Sequence, residues 1–68
     1  MWSYNRLWKL LIDKGMKKTE LMEAAQIHST TLARMSKGEP VSMEALGKIC
    51  EALHCQVEDI VQYIEDES

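Results

Sequence analysis

From Lys17 to Gly38 the chain reads KKTELMEAAQIHSTTLARMSKG, two short stretches of helical apolar spacing separated by Gln26-Ile27-His28. Neither stretch holds a helix alone, because isolated helices shorter than about 12–15 residues are marginal in water. Each must pack against the other and against the rest of a small chain, and this restricts the fold more than any other feature. Leu21 and Ala25 put the apolar side of the first stretch at i, i+4. Leu32 and Met35 do the same for the second at i, i+3, and Ile27 supplies an apolar plug between them. The spacing predicts a helix over Lys18 to Ala25 and another over Ser29 to Ser36, the latter ended by Gly38 in the left-handed conformation.

The flanks extend the same pattern. Tyr4, Leu7, Trp8 and Leu11 follow i, i+3, i+4, i+7, with Ser3 as the expected N-cap and Gly15 as the stop. Pro40 keeps Glu39 out of helical geometry, and Ser42 is placed to cap a helix over Met43 to Leu53, whose inner side carries Leu46, Ile49, Cys50 and Leu53. Val57, Ile60, Val61 and Ile64 predict a fifth helix from about Val57 to Ile64, and Glu65 to Ser68 read as a frayed acidic tail. No segment alternates long enough to compete as a strand, so the expected class is all-α, a compact five-helix arrangement. A chain of 68 residues buries roughly 60% of its unfolded surface, which predicts one domain over residues 1–68. No apolar run approaches the ~18 residues of a membrane span. Trp2, Tyr4, Asn5, Arg6, Trp8 and Lys9 mix polarity in a way no secretory leader does, so a cytoplasmic location is expected.

A net charge of −3 conceals two unlike halves. Met1 to Gly38 holds seven basic residues (Arg6, Lys9, Lys14, Lys17, Lys18, Arg34, Lys37) and three acidic ones, whereas Glu39 to Ser68 holds eight acidic residues and the single base Lys48. Two accounts fit this asymmetry: a face that approaches phosphate opposite one that avoids it, or solvated helix faces that happen to segregate.

From about Asn5 to Tyr63 the chain resembles the lambda-repressor-like helix-turn-helix domains, the Cro/repressor type also called the XRE family. The matching residues are Gly15, Thr19-Glu20-Leu21, Ile27, Ser29-Thr30-Thr31-Leu32, Met35, Lys37-Gly38, Ser42, Leu46, Ala52-Leu53 and Ile60. Three positions depart from the pattern: Gln26 stands where the family usually has the turn glycine, Met22 where it has alanine, and Ser36 where it has an acidic residue.

The resemblance implies sequence-specific binding of double-stranded DNA by a bacterial or phage-type transcriptional regulator, repressing by operator occupancy, with the third helix in the major groove. With Leu32 and Met35 inward, a 100° step per residue turns Ser29, Thr30, Ala33, Arg34 and Lys37 outward. Ser29 and Thr30, at the end that enters the groove first, are candidates for base edges or nearby phosphates, and Thr31 for a thymine methyl or phosphate. The three hydroxyls also suit simple helix capping. Arg34 has the planar fork that bridges guanine O6 and N7. Lys18, where the resemblance places a phosphate or base-flanking contact, joins Lys17, Lys37 and His28 as phosphate candidates. His28 equally fits a plain turn residue.

Other features carry competing readings. Trp8 shares with Tyr4 and Ile12 a face that does not coincide with the Leu7/Leu11 face, so the indole either closes the core or meets a partner. Val57, Ile60, Val61, Tyr63 and Ile64 look broader than one buried stripe, and a homodimer through that C-terminal helix is the partner expectation. Cys50 and Cys55, with His54 adjacent, lack the spacing of a metal-binding motif and read as reduced apolar fillers. No nucleophile elbow, phosphate loop or acid/base pair is present, and no enzyme activity, cofactor, metal or small-molecule substrate is expected. The alternative from a different class is a protein-interaction or antitoxin-like module using the same fold through exposed apolar residues.

Overall fold

The computed structural model describes residues 1–65. A short strand β1 (Trp2–Ser3) leads into four helices, α1 (Asn5–Lys14), α2 (Lys18–Ala25), α3 (Ser29–Ser36) and α4 (Met43–Leu53). A single 3-10 turn (Val57–Asp59) and strand β2 (Gln62–Tyr63) follow. β2 pairs antiparallel with β1 in the register Trp2 to Tyr63 and Ser3 to Gln62. No helix among the described residues is long and apolar enough to cross a membrane.

Local chemistry sets the boundaries. α1 stops at Gly15, whose φ of 65° is left-handed and whose N–H donates to the Ile12 carbonyl at 3.1 Å. α2 opens with the Glu20 carboxylate reaching back to accept from the Lys17 N–H at 2.9 Å, so one of the donors that a helix start leaves unpaired is satisfied. α4 opens with Ser42 Oγ accepting from the Ala45 N–H at 3.1 Å. One core results, and its fully buried large side chains come from every segment: Leu7 of α1, Leu21 of α2, Met35 of α3, Ile49 of α4 and Ile60 after the 3-10 turn. No side chain in this core leaves a buried polar atom unpaired among the described residues.

The C-terminal segment corrects the expectation of five helices: among the described residues there are four, and Val57–Ile64 is not one of them. β-Branched Val57, Ile60, Val61 and Ile64 lose side-chain freedom in a helix, and the segment instead forms a 3-10 turn followed by the two-residue strand Gln62–Tyr63. Here Trp2–Ser3 offers a strand partner. The Asp59 carboxylate closes the preceding turn by accepting from the Gln56 N–H at 2.9 Å, and Arg6 Nη1 fastens that turn to α1 by donating to the Glu58 carbonyl at 2.9 Å. Trp2 and Tyr63 meet edge to face at 5.0 Å between ring centroids, and the Ile64 N–H donates to the Met1 carbonyl at 2.8 Å. The clasp also displaces Ser3 as N-cap of α1. Strand pairing takes Ser3 into β1, and Tyr4 holds the cap position instead. Tyr4 is buried, and its hydroxyl donates to the Glu39 carbonyl at 2.8 Å, tying the start of α1 to the loop after α3. Leu32 and Cys50, expected inside, are half-buried, and Ile64 is exposed. Of the expected tail, Asp66, Glu67 and Ser68 lie outside the described residues, while Glu65 is exposed.

Gln26 adopts φ 55° and ψ 47°, the left-handed geometry that the turn demands. A side chain there costs about 1–2 kcal/mol, which glycine avoids while losing more freedom on folding. Gln26→Gly is therefore expected to stabilise the fold by up to about 1 kcal/mol, raising Tm by roughly 4–8 °C in a domain of this size. Thermal unfolding followed by circular dichroism checks this, and a lower Tm for Gln26→Gly contradicts it.

Candidate nucleic-acid interface

α2, the turn and α3 form a helix-turn-helix whose outer side carries the candidate residues. The Ile27 N–H donates to the Met22 carbonyl at 3.1 Å and its side chain is buried, so the turn is pinned from inside. His28 occupies the N-cap of α3 with extended backbone. Its carbonyl accepts from the Thr31 N–H at 3.1 Å, while its imidazole makes no capping bond and is exposed. Burial of Met35 fixes the rotation of α3, and Ser29, Thr30, Ala33 and Arg34 are exposed as a consequence. Lys37, just past the helix end, is exposed as well. Thr31 differs. It is half-buried and lines a shallow hollow with Gln26, Ile27, His28 and Ser42, between the turn and the start of α4.

Arg34 lies beside Glu39 and Pro40, and the Glu39 N–H donates to the Arg34 carbonyl at 2.9 Å. The ion pair Lys48–Glu44, at 3.9 Å, belongs to α4 and is the only one among the described residues. The guanidinium of Arg34 and the ammonium groups of Lys17, Lys18 and Lys37 thus have no carboxylate partner within 4.0 Å there. Among the described residues, no acid of the second half forms an ion pair with a cation of the first. Lys18 Nζ instead sits 4.2 Å from the centroid of the Trp8 ring, an arrangement that no sequence spacing signals.

The family model of the Cro/C1-type helix-turn-helix DNA-binding domain matches residues 6–66. The chain belongs to that family. Among solved structures it is similar to the transcriptional regulator VanUg, with 48% identity, a TM-score of 0.91 and coverage of 96% of this chain and 87% of that one. A search of curated proteins gives no match. Membership in a DNA-binding family agrees with the resemblance carried by Thr19-Glu20-Leu21, Ile27 and the Ser29–Leu32 run.

The cysteines lie apart from this surface. Burial, followed by the neighbouring Cys50 thiol, pushes the Cys55 thiol up to about 11. It stays protonated at neutral pH, a poor state for binding a metal ion or attacking an electrophile. No three potential ligands cluster among the described residues.

Proposed function

We propose that this chain binds double-stranded DNA sequence-specifically and represses transcription by occupying its operator, with α3 lying in the major groove. One observation carries this reading: α3 buries Met35 and turns Ser29, Thr30 and Arg34 to solvent, small hydroxyls first and the guanidinium one turn later. Ser29, Thr30 and Thr31 meet base edges or nearby phosphates at the groove entrance, Thr31 from its half-buried position against α4. Arg34 bridges guanine O6 and N7. Lys17, Lys18, His28 and Lys37 face the sugar-phosphate backbone, which positions the helix without reading sequence. The similarity to a structure described as a transcriptional regulator supports the regulatory role.

A homodimer belongs to the same proposal. Two copies one helical turn apart, about 34 Å, double the phosphate and base contacts of a module with few cations. Among the described residues no C-terminal helix is there to join them. Its place as the apolar surface is taken by exposed Met1, Trp2, Met43, Tyr63 and Ile64 beside a groove of about 180 Å³ floored by Val41, Leu46, Val57 and Val61. Static light scattering of the protein on duplex should give two chains per site, and one chain per site removes the dimer from the account.

Salt dependence tests the electrostatic part. Three lysines on phosphate predict that log K falls against log salt by about 2.7 per bound chain, at about 0.9 per phosphate neutralised. A slope near zero contradicts DNA binding and favours a protein-interaction module.

A further inference from the structure

We infer that Trp8 is a positioning residue for DNA binding, an aromatic seat on α1 that holds the Lys18 ammonium ready for a phosphate at the opening of α2. This rests on the DNA-binding reading and deepens it, by assigning a function to a side chain outside the helix-turn-helix. Lys18 is the first residue of α2, and its Nζ lies 4.2 Å from the centre of the Trp8 ring. The ring is itself held, because half-buried Trp8 packs against the core from the middle of α1.

An exposed lysine ordinarily spends its long stem sampling rotamers, and a phosphate must order it on binding. The ring quadrupole confines the ammonium beforehand. It does so without a carboxylate partner, so the N–H groups of Lys18 that point away from the ring remain for an anion. A carboxylate in the same place would both confine and neutralise the charge. Glu20, two residues further along α2, is engaged elsewhere, since its side chain accepts from the Lys17 N–H at 2.9 Å. Among the described residues Lys18 is the one cation seated on an aromatic ring, and Lys17 and Lys37 have no such support. The indole that the sequence left between core closure and partner contact thus works through its neighbour's charge.

The test is a double-mutant cycle on the full chain, with dissociation constants measured over several salt concentrations on a duplex selected by the wild-type protein. Trp8→Leu is expected to weaken binding about two- to fivefold, the ratio a surface cation–π interaction can hold, and Trp8→Phe to restore most of it. Lys18→Met is expected to lower the salt slope by about 0.9. In that background Trp8→Leu should have no further effect.

A second measurement does not depend on how well Trp8→Leu folds. In Trp2→Phe protein Trp8 is the single tryptophan, and its emission should change on adding duplex when Lys18 is present and not in Lys18→Met. The inference is overturned if Trp8→Leu weakens binding equally with and without Lys18, or if Trp8 emission ignores DNA in both proteins. Should the wild-type chain bind no duplex at all, the DNA-binding reading fails first. Normal binding with a silent Trp8 removes this inference alone.

Discussion

Arg34→Ala should lower affinity for the preferred duplex by about five- to 150-fold, corresponding to about 1–3 kcal/mol for a bidentate base contact. Affinity for scrambled DNA should fall far less, because there the loss is one cation among several. Arg34→Lys separates the two contributions. It keeps the charge but not the planar fork, so nonspecific affinity should return while discrimination stays low. Arg34 is well placed for this role: it is exposed, has no carboxylate within 4.0 Å among the described residues, and lies one turn beyond Thr30 on a helix whose rotation is locked by Met35. Competition titrations with specific and scrambled duplexes give both numbers. Equal losses on the two contradict a base-reading Arg34.

Ile60→Ala is expected to destabilise the fold by about 2–5 kcal/mol, the range for emptying a buried aliphatic site. A domain this small has a total stability of only about 3–10 kcal/mol, so a large share of the molecules should unfold near physiological temperature. Ile60 is 0% exposed and is the one fully buried side chain after α4 among the described residues, whereas Ile64, four residues on, is 42% exposed. Ile64→Ala should therefore change stability by less than about 0.5 kcal/mol. An amphipathic helix over Val57–Ile64 would put both residues on one buried face and make the two losses similar. Urea unfolding of the two variants separates the clasp from the helix, and comparable losses refute the clasp.

That contrast marks where the sequence stops being informative. α2, α3 and α4 begin and end where apolar spacing, Ser42 and Gly38 place them, and α1 stops at Gly15, because those signals are local. The C-terminal segment carries apolar residues at i, i+3, i+4 and i+7, which satisfies the helical rule. What decides its shape is Trp2–Ser3, some sixty residues away in the chain and invisible to any local window. The same distance effect removed Ser3 from the cap of α1, whereas the burial of Tyr4 follows the helical spacing it shares with Leu7 and Leu11.

At the candidate interface the outward side of α3 was legible because one helix period relates Met35 to Ser29, Thr30 and Arg34. The half-burial of Thr31 was not, since it depends on how α4 crosses the turn. Nor was the pairing of Lys18 with Trp8, which joins two helices across Gly15 and follows from their packing angle rather than from any motif. The left-handed geometry at Gln26 was legible through the resemblance, which puts a turn glycine where this chain has Gln26.

Sequencing the duplexes that the wild-type chain and Arg34→Lys each retain from one random pool tests most directly whether α3 reads nucleobases. The wild-type pool should converge on a short motif containing a guanine, with that guanine position relaxed in the Arg34→Lys pool. If the folded wild-type protein returns a pool indistinguishable from the input, α3 does not read bases and the regulatory assignment fails.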